Sequence, residues 1–416
     1  MLRDMSIVET AGRMLTGDAE FANWSGNVSF KPGRIEAPRN ADAVQGIVRR
    51  ARDEGQRVRV AGDGHSFTPL LETDGVLITT EHFHGVADVD MDAMEATLQA
   101  GTEIGELGPK LRDEGVTLIQ LGDIDYQTLA GGMATATHGT GAALPHLGAP
   151  LIGGQLVDGR GEIIDFDEQS DPELVHGLRA SLGLLGMLTE VRVRVREVQR
   201  LRRREWCLPV EEALEQLEQL PHRYERVDMY WYPRRDEVKV RTWVAEDEAG
   251  DDSPGGVLVK DKVGWSDEML PSPQENRYDE MEYMLPAEQG PAAFRALRER
   301  VLERHRKQVA WRVLYRWISG DDAYLSPMNG RDSVSIALLQ NAELPFWPYF
   351  NDCEPIFLEH DGRPHWAKRH TQRAAQLRRM YPDWEAFQAL RREHDPDGVF
   401  LTPYLAELMG EEAPGG

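Results

Sequence analysis

The chain reads as an α+β protein made of two differently patterned parts. Three observations carry that reading. Short strands alternate with amphipathic helices up to about residue 198. Near residue 200 the texture changes to tryptophan-rich, antiparallel-looking strands. The chain is also strongly acidic, with 47 basic against 71 acidic residues in 416 and a formal net charge of −24. The length allows two or three domains around a sizeable core. The composition, 41% hydrophobic and 28% charged, is that of a globular protein. So acidic a field repels phosphate backbones and anionic lipid, which argues against nucleic acid or a membrane surface as partner. Cys207 and Cys353 make no C-x-x-C pair or disulfide framework, so a reducing cytosol is the expected compartment. Hydrophobic runs are too short to cross a bilayer, and MLRDMSIVETAGRMLTGDAEF at the start lacks a signal-peptide core. The expectation is a cytoplasmic, soluble protein, monomeric or a small homo-oligomer.

The elements follow in order. Arg34–Ala37 is a short extended piece, and Pro38 and an Asn40 cap precede a helix with Val44, Ile47, Val48 and Ala51 on one stripe. Gly55 stops that helix, and Arg57–Ala61 alternates as a half-buried strand, so residues 34–61 form one βαβ unit. Strands are expected at Val76–Thr80, 86–90 and 94–100. A helix then carries Ile104, Leu107 and Leu111 and ends near Gly115. The Gly-rich stretch 129–142 precedes strands at 151–157 and 162–166, with Asp158-Gly159 turning between them. A helix from Pro172 to Leu182, then GLLGML, then an alternating strand over 191–198 complete this part. Beyond it, DMYWYP and EVKVRTWV read as antiparallel strands, Glu246–Gly256 as an acidic surface loop, and 291–307 and 367–379 as helices.

Four stretches carry chemistry. In VAGDGHSFTPL (60–70), Gly62, Asp63 and Gly64 let the chain turn tightly, bring bare N–H groups to a ligand and present His65 at the turn. A polar surface turn with an incidental histidine is the plainer alternative. The third glycine of G-x-G-x-x-G is missing and no helix follows, so a Rossmann fingerprint is absent. The second Gly-rich turn, 131–141, holds Thr135, Thr137, His138 and Thr140. Two such turns suit a pyrophosphate gripped by backbone N–H groups. His82 and His84 with His65 and His138 raise the question of a metal, but the spacing points to none. In RPHWAKRH (363–370), Pro364 suits a helix start, which would put His365 and Lys368 on one face toward a polar substrate. A desolvated lysine can hold a hydroxyl and help deprotonate it, and Arg316 adds a planar pair of donors.

GDGHSFTPL, GGMATATHGTGA, LGLLGMLTEV and HWAK, in that order, resemble the vanillyl-alcohol oxidase/p-cresol methylhydroxylase (PCMH) superfamily of flavoproteins. Within it the chain is most similar to the sugar-1,4-lactone oxidases and alditol oxidases, from NWSGN (23–27) to DPDGVFLTPYL (395–405). The resemblance implies a PCMH-type FAD-binding domain of two subdomains at 1–198. A substrate-binding cap with an antiparallel sheet would follow at 199–378, and residues 379–416 would return to the FAD domain. It implies FAD bound covalently through His65 at the flavin 8α carbon. Ala61, Gly62, Asp63, Gly64 and Ser66 would lie about the pyrophosphate. Gly131, Gly132, Thr135, Thr137, His138 and Gly139 would line the flavin and phosphates, with Gly186 and Leu188 at the adenine end. Lys368, Arg316 and His365 would be catalytic, and Thr128 and Leu314 would face substrate. The implied reaction oxidises a CH–OH group of a polyol, sugar or sugar lactone by hydride transfer to flavin N5. O2 would be the acceptor and hydrogen peroxide the product.

The chain departs from that pattern at two positions. The resemblance implies a glutamate two residues before the active-site arginine, where Leu314 stands, and an asparagine where Thr402 stands. Loss of a hydroxyl-binding carboxylate redirects specificity toward a less hydroxylated or bulkier alcohol. A same-fold dehydrogenase with another electron acceptor is the nearest alternative. A non-catalytic flavin- or sugar-binding protein and a zinc enzyme are more distant ones.

Overall fold

Strand pairing groups the described strands into four sheets, and their register follows the hydrophobic pattern. The computed structural model describes residues 14–15, 20–248, 253–272 and 276–412. The central part of the acidic Glu246–Gly256 loop lies outside them; Glu246–Glu248 forms a single 3₁₀ turn.

Arg34–Glu36 and Val58–Ala61 are parallel, but they pair with Val76–Thr79, which lies between them. The helix Ala41–Asp53 that joins them is capped by the Asn40 side chain and buries Val44, Ile47, Val48 and Ala51, the stripe expected from the sequence. A second, antiparallel sheet orders Ile163–Asp167, Leu151–Asp158, Gly186–Glu197, Glu95–Gln99 and Val86–Asp90, with Val116–Leu118 on the far end of Gly186–Glu197. The expected helix to Leu182 ends earlier, at Leu178. The cause is local: Leu182 and Gly183 both take left-handed backbone, with φ of 55° and 65°.

The third sheet is eight-stranded and antiparallel, ordered Val257–Trp265, Arg200–Pro209, Glu237–Ala245, Arg226–Tyr232, Val313–Ile318, Ser333–Asn341, Tyr278–Pro286 and Arg363–Pro364. Period-two alternation gives it two unlike faces. One carries Trp206, Val240, Met229, Tyr315 and Ile336 in register from strand to strand. That face buries against Ala293, Phe294 and Leu297 of the helix Gly290–Arg300 and against Trp347–Glu359. The helix expected over 291–307 thus changes to a π turn at Val301–His305. The opposite face carries Glu205, Arg241, Asp228 and Arg316 on adjacent strands, alternating in charge. A fourth small sheet joins Met14–Leu15, Phe21–Ala22 and Ser29–Phe30.

The last residues bind early ones. Val58 N–H donates to the Val399 carbonyl, and the buried Arg59 guanidinium donates to the Phe400, Gly183 and Leu182 carbonyls. No described helix is long and apolar enough to cross a membrane.

Candidate active site

The turn after Val58–Ala61 is held by close approach. A Cβ on Gly62 would lie 2.2 Å from Thr128 Oγ1. Gly64, at φ +70°, would put one 2.9 Å from the Phe21 ring. Only bare backbone fits there. His65 is therefore delivered into a crowded aromatic corner, with ring centroids 4.6 Å from Tyr126 and 5.3 Å from Trp24. Neither of its ring nitrogens has a hydrogen-bond partner among the described residues. Burial, with Lys368 adding to it, lowers its pKa to about 3. The ring is neutral, and a lone pair is available.

A long cleft opens from this turn. It is lined by Gly62, Asp63, Gly64, His65, Ser66, Thr128, Gly131, Gly132, Thr135, Gly186 and Leu188, so most of the residues expected at the cofactor do converge. Glycines and hydroxyls share the lining with apolar side chains such as Leu70, Met187 and Leu188, and Arg59 is the cation in it. The orphaned nitrogens of His65 and this glycine cradle fit a diphosphate-bearing flavin. Ala61 lines no part of the cleft, being buried with Phe21, Phe30 and Leu77. Gly139 is also outside it, packed against the Leu121 carbonyl. Thr128, expected on the substrate side, lines the cleft because its Oγ1 packs against Gly62 and Gly131.

A second chamber shares His65, Gln127 and Ala367 with the cleft. Its floor is the charged face of the eight-stranded sheet, with Glu280, Glu282, Leu314 and Arg316. Its roof is formed by Asp123, Thr137 and His138, and its side by His365 and Lys368. Thr137 and His138, expected at the flavin, thus line the chamber.

The HWAK stretch is not helical. His365 N–H donates to the Glu282 carbonyl and Arg369 N–H to that of Glu280, so this backbone is committed to the neighbouring strand; the next helix begins at Ala374. His365 and Lys368 reach the chamber from a turn closed by Lys368 N–H to the His365 carbonyl at 2.9 Å. Trp366 anchors that turn, fully buried, with Nε1 donating to the Leu325 carbonyl at 2.6 Å. The turn is tied to the His65 loop by Phe67 N–H to the Ala367 carbonyl and Thr68 Oγ1–H to that of Trp366.

Two ion pairs lie side by side in the chamber, on alternate residues of one strand. Lys368 Nζ binds Glu280, and Arg316 Nη2 binds Glu282. Burial raises the Glu280 pKa, with Lys368 opposing. Burial also pushes Glu282 up, but Arg316 and His138 outweigh it and hold that carboxyl well below its ordinary range. Nδ1 of His138 lies 3.0 Å from the Gly139 carbonyl and must donate to it, which turns Nε2 toward Glu282 at 3.3 Å. His365 accepts the Ala367 N–H on Nδ1 at 3.1 Å, and burial, with Lys368 adding to it, keeps it neutral with its proton on Nε2.

His138, Glu282 and His365 bring three possible ligand atoms within 4.8 Å of one another. Arg316 already supplies the cation on that carboxylate, so a divalent ion would have to displace it. His82 and His84, weighed as ligands from the sequence, instead approach Glu81 and Glu106.

Glu280 and Glu282 were not singled out in the sequence. Their signal is present in YDEMEYMLP: two glutamates at i and i+2 fall on one face of a strand whose other face carries Met281, Tyr283 and Leu285.

Two family models match the chain, an FAD binding domain over residues 32–167 and D-arabinono-1,4-lactone oxidase over residues 251–408. L-gulono-1,4-lactone dehydrogenase of Mycobacterium tuberculosis is 31% identical over 430 residues, covering 94% of this chain and 99% of its own. L-gulonolactone oxidase of Bos taurus is 26% identical over 94% of this chain and 98% of its own. The fold is also that of cholesterol oxidase from Brevibacterium sterolicum, with a TM-score of 0.82 over 94% of this chain and 96% of that one at 14% identity. This chain belongs to the sugar-1,4-lactone oxidase and dehydrogenase family, FAD-dependent oxidoreductases that act on a CH–OH group.

Proposed function

We propose that the protein oxidises a ring CH–OH of a sugar-1,4-lactone, with FAD attached covalently to His65. The observation that carries this reading is the chamber itself: two cation–carboxylate pairs and two histidines meet the cofactor cleft at His65. FAD, when bound, accepts the hydride from the carbinol carbon. Lys368 Nζ, steered by Glu280, holds the reacting hydroxyl and helps it lose its proton. Arg316 orients a neighbouring oxygen as a planar donor, and His365 Nε2–H donates to another. Leu314 and Leu339 supply an apolar wall that fits the carbon skeleton of a lactone ring. Supporting the covalent link are the two nitrogens of His65, unpartnered among the described residues, and its neutral state.

O2 is the acceptor of the first reading, giving hydrogen peroxide. A dye- or protein-linked dehydrogenase is the second, favoured by the name of the M. tuberculosis relative. The test is anaerobic addition of L-gulono-1,4-lactone, D-arabinono-1,4-lactone and an alditol to the purified yellow protein. Bleaching of the flavin by a lactone supports the function, and recovery on admitting air with peroxide formation selects the oxidase. Bleaching by none of them would overturn it. The free thiols Cys207 and Cys353, the second buried, suit a reducing cytosol.

A further inference from the structure

We propose that Glu282 is the substrate-binding carboxylate of this site, supplying from the Tyr278–Pro286 strand what position 314 lacks. The inference rests on the proposed function for the identity of the substrate, and on sheet register for the residue. Leu314 pairs with Ala337 on the next strand, and Ala337 pairs with Glu282 on the strand beyond. The three residues form one row on the chamber face. Two strand spacings, about 9.6 Å, separate the outer backbones. An alanine between them leaves a trough, and the buried Ser333 and Ser335 are the other small residues of that strand, on the same face. Over this trough Arg316 reaches across to Glu282.

Glu282 is 1% exposed, lines the chamber, and gives one oxygen to Arg316, with His138 Nε2 3.3 Å from that same oxygen. Its Oε2 is buried with no hydrogen-bond partner among the described residues. A buried carboxylate oxygen left open is an acceptor awaiting a donor, and a substrate hydroxyl entering the chamber provides one. Glu280 does not match Glu282 in this: no oxygen of that carboxylate is both buried and without a hydrogen-bond partner among the described residues. Leu314 packs instead into an apolar cluster with Phe67, Tyr230, Tyr278 and Leu339. The polyhydroxylated specificity expected to be lost with the leucine is thereby retained, through a group on a different strand.

Transposing the charge tests this. Glu282→Leu, Glu282→Gln, Leu314→Glu and the Glu282→Leu/Leu314→Glu double variant are compared as flavin-loaded proteins. Steady-state kinetics use L-gulono-1,4-lactone. Glu282→Leu should lose about 100-fold or more in kcat/KM, since it removes one partner of a buried, hydrogen-bonded charge pair. Flavin content and far-UV CD should be unchanged. The double variant should regain at least about tenfold over Glu282→Leu, because a glutamate at 314 neighbours Arg316 on the same strand face. Glu282→Gln, which keeps shape and one acceptor, should fall between wild type and Glu282→Leu. Normal kinetics in both Glu282→Leu and Glu282→Gln would overturn the assignment. So would a folded, yellow double variant no better than Glu282→Leu. Should the double variant not fold, Glu282→Gln decides alone: kinetics equal to wild type overturn the assignment, and an intermediate loss supports it. A wild type that oxidises an alditol but no lactone overturns the substrate reading alone, and the same variants are then ranked on the alditol. A wild type active on neither overturns both.

Discussion

Replacing Lys368 with alanine should separate its chemical role from its structural one, because the two have different pH dependences. The lysine is the partner of Glu280, a carboxyl that is 3% exposed and whose pKa burial already raises even with the ammonium present. Removing Lys368 deletes the opposing interaction, so the Glu280 pKa rises further. A carboxyl with a raised folded pKa makes no demand below its unfolded pKa, where it is protonated in both states. As pH climbs past that value it subtracts stability, at up to about 1.4 kcal/mol per pH unit. The stability gap between wild type and Lys368→Ala should therefore be small near pH 4.5. It should widen toward pH 8 and level off at about 3–5 kcal/mol, the cost of a buried charge stripped of its partner. Urea unfolding at pH 5, 6.5 and 8 measures it. Turnover at any pH should fall about 10²–10⁴-fold, the usual contribution of a group handling the proton in flight, while the protein stays yellow. A gap that does not change with pH would refute the buried-pair argument. Turnover within threefold of wild type would refute the catalytic one.

Three further outcomes follow from the geometry. His65→Ala should release its flavin on acid precipitation while wild type keeps its colour in the pellet, with the mass shift on the His65 peptide; a wild-type pellet without colour rules out the tether. Gly62→Val should load FAD poorly, since even a Cβ at Gly62 lies 2.2 Å from Thr128 Oγ1; the ratio of flavin to protein absorbance reads this directly. Ala337→Leu fills the trough between Arg316 and Glu282. It should cost about 1–3 kcal/mol by overpacking and far more in kcat/KM than in stability. Equal losses of both would show that the trough has only a packing role.

Much of the architecture was legible from local pattern. The helix Ala41–Asp53 shows its cap, stripe and stop within 16 residues of sequence, Asn40 to Gly55. The strands about Asp158-Gly159 announce themselves by alternation and turn chemistry. What failed failed for tertiary reasons. HWAK looked like a helix start, but the N–H groups of His365 and of Arg369, just after it, donate to the carbonyls of Glu282 and Glu280 on the neighbouring strand. The helix toward Leu182 was cut short by the left-handed backbone that the GLLGML turn requires.

The same division holds at the site. His65 directly after its glycines, and the order of the Gly-rich turns, could be read from sequence because tight turns and close backbone approach select residues locally. Leu314 was likewise legible as a departure, and by itself it pointed toward a less hydroxylated substrate. Only the fold shows where the carboxylates are. Glu282 meets Arg316 across 34 residues of chain, and Glu280 meets Lys368 across 88. Those meetings depend on which strands pair and in what register. Register is a property of the whole sheet and its buried face, set by packing that no local window contains.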